Sequence, residues 1–86
     1  MKKVKEPTGE IRKRLNAYKN KKSCMDCNIE YPYYVLDFDH VRGKKVENIS
    51  NMAKHYTWEE ILKEIKKCEL VCSNCHRIRT FKRQSI

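Results

Sequence analysis

Apolar side chains along this chain change their period several times, and each change marks an element. Ile11, Leu15 and Tyr18 recur at helical spacing behind Thr8, a residue suited to an N-cap, and predict a helix over about residues 9–21. Residues 1–7 ahead of it read as a basic flexible arm ending at Pro7. Residues 33–39 (YYVLDFD) are rich in aromatic and β-branched types and predict a strand with Tyr34, Leu36 and Phe38 on one face. Polar residues 41–48 form a loop that turns at Gly43, and a short helix within 49–56 would bring Ile49 and Met52 to the core. Thr57 and Glu60 have the spacing of a capping box, and Trp58, Ile61, Leu62 and Ile65 continue it as a helix over 58–67. Leu70 and Val71 give a short strand, and a basic helix follows over about 74–82. No repeat of domain size and no low-complexity segment interrupts this order. The pattern is that of a small α+β domain over residues 8–86.

Composition makes such a domain hard to stabilise by burial alone. The chain has 86 residues, 40% hydrophobic and 36% charged, with a mean hydropathy of −0.88. Domains this small and polar commonly need a disulfide, a metal or a partner. A multidomain enzyme, a doubly wound nucleotide-binding sheet and a barrel are excluded by size. No run approaches the about 18 apolar residues of a membrane span. The basic start lacks the apolar stretch of a secretory signal, so the expected setting is intracellular and reducing, away from membranes.

Charge narrows the partners. The net charge is +9 and the pI about 9.5, which favours a polyanion, nucleic acid before an anionic membrane surface. Its placement is uneven: residues 1–22 hold nine basic and two acidic side chains, whereas residues 23–41 hold Asp26, Glu30, Asp37 and Asp39 with no Lys or Arg. A bound cation is one reason for an acidic island in a basic chain. The basic faces of the first helix are either solvated or laid along phosphates.

Four of the five cysteines form two pairs, Cys24/Cys27 and Cys72/Cys75, each with two residues between. Each pair can aim two thiolates at one ion from a single turn, and two turns complete a tetrahedral zinc shell. Two disulfides, or redox chemistry at one pair, are the competing readings. The absent signal and the absent βαβ context argue against them. A structural zinc would close a 44-residue insert, Asn28 to Val71. Cys68 reads as a small buried hydrophobe rather than a ligand.

That closure would bring the end of the strand, Asp39-His40, towards His76, which follows Cys75 directly. A carboxylate and an imidazole make half of a metal site, and a second, neutral imidazole can take a proton from water. His40 could instead cap a turn, and His76 could replace a cysteine on zinc. Arg42, Lys44 and Lys45 follow His40, and Arg77, Arg79, Lys82 and Arg83 lie on or after the last helix, where they could hold phosphates or stay solvated. The tyrosines of residues 31–34 could stack on bases but fit core and rim packing better. His55 reads as structural or exposed.

Three segments in this order, CMDC at 24–27, LDFDHVRGKK at 36–45 and CELVCSNCHR at 68–77, resemble the HNH endonucleases, in particular small phage and bacterial members with a four-cysteine scaffold. The resemblance covers about residues 22–80. It implies a zinc-stabilised ββα-metal finger with flanking helices, its core at about 34–82, in a bacterial cytoplasm and encoded by the host or a phage. By this likeness Cys24, Cys27, Cys72 and Cys75 hold structural zinc, Asp39 and His76 hold a catalytic divalent metal (Mg²⁺, Mn²⁺, Ni²⁺ or Zn²⁺), and His40 is the general base. The implied reaction is hydrolysis of double-stranded DNA to 5′-phosphate and 3′-hydroxyl ends, with Arg42, Lys44, Lys45, Arg77, Arg79 and Lys82 on the DNA. One site per chain predicts nicking by a monomer. Two-strand cleavage then needs a homodimer or two visits, and a helper protein could supply specificity. The chain departs from the family at Lys67, where many members carry an Asn that braces the loop of the base. Asn48, Asn51 or Asn74 could substitute, and Asn48 sits best for it. A zinc-ribbon module that binds nucleic acid without cutting is the alternative, and a zinc domain that binds protein fits the charge less well.

Overall fold

The computed structural model describes residues 8–84, so the arm expected at 1–7 and the last two residues lie outside the described part. Helix α1 runs Thr8–Lys19 and buries Ile11 and Leu15, two of its three periodic apolar positions, with Tyr18 half-buried beside them. It begins at Thr8 itself, a residue earlier than the periodicity predicts. Strand β1 is Leu36–His40 and strand β2 is Cys68–Cys72. They pair antiparallel, with Leu36 opposite Cys72, Asp39 opposite Glu69 and His40 opposite Cys68. Between them lie α2 (Ile49–Met52) and α3 (Trp58–Ile65), and α4 (Ser73–Gln84) leaves β2 directly.

The strand expected from residue 33 begins three residues later. Residues Tyr33–Val35 instead form a single 3₁₀ turn after Pro32, closed by the Val35 N–H on the Pro32 carbonyl. The reason is the partner: β2 ends at Cys72, opposite Leu36, so residues 33–35 have no ladder to join. Tyr34 therefore leaves the face of Leu36 and Phe38 and is 74% exposed. β2 is longer than Leu70 and Val71 alone because it pairs along the whole of β1.

Helix α3 starts as its sequence demands. The Thr57 hydroxyl accepts from the Glu60 N–H, and the Glu60 carboxylate accepts from the Thr57 N–H. Ile49 and Met52 of α2 join Ile11, Leu15, Ala53, Ile61 and Ile65 in one core. A second core of Leu36, Val71, Cys24 and Cys72 lies at the other end of the sheet. Half of that second cluster is cysteine, which gives the sulfurs a structural role beyond their bulk. No helix among the described residues is long and apolar enough to cross a membrane.

Candidate metal centre and the cleft beside it

The four paired cysteines come together as their spacing predicts. Their Sγ atoms all lie within 4.8 Å of one another, and this is the one group of three or more His, Cys, Asp or Glu side chains close enough to hold an ion among the described residues. Zinc–sulfur bonds of about 2.3 Å in a tetrahedron put sulfurs about 3.8 Å apart, so a small inward movement closes the shell. The donor chemistry suits zinc as well. In the first turn the Cys27 N–H donates to Cys24 Sγ at 3.4 Å, and in the second the Cys75 N–H donates to Cys72 Sγ at 3.4 Å. Such bonds stabilise thiolate. Asn28, with φ 61°, closes the first turn, and the Met25 N–H fastens it to the Leu70 carbonyl of β2.

The thiols also show why they want a cation. Burial pushes Cys24 up, but N–H donors from Cys27, Cys72 and Asp26 outweigh it and bring the group down to about 6. Cys75, hydrogen-bonded to Cys72 and then buried, is pushed up to about 12. Four thiols this close cannot all ionise without a counter-ion, and a divalent cation removes that conflict. Cys68 stands apart: its Sγ meets the Glu64 carbonyl at 3.6 Å, and burial first, then Glu64, raises it to about 11.

Alternation along β1 sorts the remaining chemistry. Asp37 and Asp39 share the face covered by α4, together with Glu69 opposite. His40 points to the other face, towards α3. A cleft of about 660 Å³ wraps the end of the strand and is lined by Asp37, Asp39, His40, Lys45, Asn48, His76 and Arg83, among others. Asp39, His40 and His76, which the sequence spreads over 38 positions, thus border one space.

His76 is held in a definite orientation. Its Nδ1 lies 3.0 Å from Asp37 Oδ2, and its Nε2 lies 3.7 Å from Asp39 Oδ1. A carboxylate only accepts, so Nδ1 carries a proton, and Nε2 is the ring atom on the side of Asp39 whose lone pair the neutral form would offer to a cation. Two ligands on one ion are at most about 4.2 Å apart, so this pair fits a cation. Asp39, 4% exposed, already has cationic neighbours. Arg83 donates to both its oxygens, Nη1 to Oδ1 at 2.9 Å and Nη2 to Oδ2 at 2.7 Å, and Arg79 Nη1 donates to Oδ2 at 2.8 Å. The Arg83 bonds, with Arg79 behind them, outweigh burial and hold the carboxyl at about 2.

Arg79, expected on phosphate, faces carboxylates of its own chain. Beyond Asp39 it donates to Asp26 at 2.6 and 2.7 Å and to Glu69 at 2.9 Å, so its guanidinium is spent on three carboxylates. Two members of the acidic island, Asp26 and Asp39, thus find their positive charge within the chain. Arg42 is also partly engaged, donating to the Lys66 carbonyl at 2.6 Å, and its exposed side chain lies 3.6 Å from Glu69. Lys44, Lys45, Arg77 and Lys82 are exposed, Lys45 on the cleft and Arg77 beside His76 on an adjoining hollow. Asn48 lines the cleft at the start of α2, where its side chain makes no capping bond. Asn51 and Asn74 lie elsewhere. His55 is exposed.

Lys67 itself braces the loop after His40. Its Nζ donates to the Lys44 carbonyl at 2.7 Å, and its own carbonyl accepts from the Val41 and Arg42 N–H groups. Gly43, at φ 69°, allows the loop to turn against the Lys67 side chain. Glu64 of α3, 3% exposed, joins this brace. Sequence reasoning missed Asp37 and Glu64. Both left a signal: Asp37 is two positions from Asp39 on a strand, and Glu64 falls on the apolar face of α3 between Ile61 and Ile65. Comparison of the chain with family models, with curated proteins and with solved structures gives no match.

Proposed function

We propose that this protein is a metal-dependent endonuclease of the HNH type acting on DNA, with the four cysteines holding a structural zinc in a ββα-metal finger. The observation that carries the reading is the shared cleft of Asp39, His40 and His76, with Nε2 of His76 turned to Asp39 by Asp37. The order of two antiparallel strands and a helix, with the second cysteine pair at the strand–helix junction, supports it. Asp39 and His76 would hold a divalent cation, whose charge offsets that developing on the phosphate during hydrolysis. His40 takes the proton from the attacking water, and Lys45 at the mouth of the cleft holds a neighbouring phosphate. The second reading is a zinc module that binds nucleic acid without cutting it. Arg79 and Arg83 favour that one, since they already satisfy Asp39.

The two readings separate on a labelled duplex incubated with Mg²⁺, Mn²⁺ or Ni²⁺. An endonuclease shortens the duplex and stops when a mild chelator removes the added ion while leaving the four-cysteine metal in place. A binding module retards the duplex in a gel and leaves it intact in every metal, which would refute the nuclease reading.

Two further outcomes follow. If Lys44, Lys45, Arg77 and Lys82 meet phosphates, the logarithm of DNA affinity falls with the logarithm of salt at a slope of about −3.6, or −0.9 for each contact. A flat response would remove these residues from the interface. Arg83 competes with any cation for Asp39, so Arg83→Gln should tighten divalent binding about two- to fivefold by calorimetry, the scale of a half-exposed ion pair. Unchanged or weaker binding would mean that Arg83 does not restrain Asp39.

A further inference from the structure

Glu64 is a carboxylate in a place where sequences put aliphatic side chains. It sits on the core-facing side of α3 and is 3% exposed. Burial pushes its carboxyl up, but the Val46 N–H, Lys67 and His40 together outweigh that and leave it below the ordinary glutamate range. A buried, ionised carboxylate is costly unless each lone pair is used. Here they are used on one small segment. Oε1 accepts from Lys67 Nζ at 2.9 Å, and Oε2 accepts from the Val46 N–H at 2.9 Å and lies 3.0 Å from His40 Nε2. The same Lys67 Nζ reaches the Lys44 carbonyl. Glu64 therefore touches the residue at the end of β1 and, at Val46, the loop that follows it, and reaches Lys44 of that loop through Lys67.

We infer that Glu64, anchored by Lys67, is the positioning residue for His40: it accepts the Nε2 proton and so leaves the Nδ1 lone pair as the only proton acceptor of the neutral ring. The chemistry is that of donor and acceptor counting. An ionised carboxylate cannot donate, so the hydrogen bond requires a proton on Nε2, and a neutral imidazole carries one proton. Nδ1 has no hydrogen-bond partner among the described residues. The inference rests on the reading of His40 as general base, but the contact itself can be tested without any reaction.

The experiment is ¹⁵N NMR of the His40 ring in the zinc-loaded protein above the pH at which the ring is charged, together with single-turnover cleavage. In the parent, Nε2 should carry a slowly exchanging proton and Nδ1 none. In Glu64→Gln, with the amide spectrum otherwise retained, exchange of that proton should quicken at least tenfold. The maximal cleavage rate should fall about 10- to 100-fold with the half-saturating DNA concentration unchanged, as for outer partners of other reactive imidazoles. A parent ring protonated on Nδ1 overturns the inference even if the variant fails to fold. So does a Glu64→Gln variant with parental exchange, or with a parental rate. A parent that shows the Nε2–H bond but cuts no DNA refutes the endonuclease reading and leaves the Glu64 contact standing.

Discussion

Replacing Cys72 with serine is expected to unfold the protein at ambient temperature rather than to weaken it. The reason lies in what the second core contains. Cys24 and Cys72, both almost fully buried, are two of its four members, with Leu36 and Val71. That cluster is where β1, β2 and the two cysteine turns meet, so the sulfurs stand where a larger protein would place aliphatic side chains. Zinc on four thiolates contributes about 10–16 kcal/mol to the folding of small domains, as much as the whole net stability of an ordinary one. Losing one ligand leaves three thiolates crowded together and forfeits most of that energy. The check is circular dichroism with metal analysis: the parent should hold one zinc per chain and melt cooperatively, and Cys72→Ser should hold little and show no transition. A strong chelator should do the same to the parent. A Cys72→Ser protein that stayed folded without metal would show that apolar burial suffices here.

The second large effect separates the two histidines. His40→Ala should lower the cleavage rate about 10²- to 10⁴-fold, the usual worth of a positioned general base. It should leave zinc content, DNA affinity and divalent binding near parental values. Stability should fall, because Glu64 loses one of the three partners that compensate its burial and keeps only Lys67 and the Val46 N–H. His76→Ala should abolish cleavage by a different route, since it removes one of the two groups proposed to hold the divalent ion, and calorimetry should show that binding lost. If His40→Ala lost divalent binding while His76→Ala kept it, the assigned roles would be reversed. If both variants cut like the parent, neither imidazole takes part.

Much of the architecture was legible because short-range rules wrote it. The capping box at Thr57 and Glu60 and the spacing of Ile61 and Ile65 are local signals, and α3 begins where they say. The two cysteine pairs carry their geometry in their spacing, and the cluster they form follows. The strand expected from residue 33 starts late because its end depends on a partner 36 residues away in register, Leu36 against Cys72, which propensity cannot see. The same limit hid the fate of Arg79. On a helix wheel it looks like any basic side chain, and only the packing of α4 on the face of Asp39 and Glu69 turns it inward. Glu64 was overlooked for the opposite reason. Its position between Ile61 and Ile65 already marked it as buried, and a buried acid asks for partners.

The most direct test is supercoiled plasmid incubated with the zinc-loaded protein and Mn²⁺, then treated with DNA ligase. The HNH reading proposed for the cleft of Asp39, His40 and His76 predicts open circles that ligase seals, since it implies hydrolysis at one site per chain and a nick with 5′-phosphate and 3′-hydroxyl ends. Plasmid that stays supercoiled while the folded protein is bound to it would contradict the account, and would leave a zinc-held basic domain whose histidines serve only its structure.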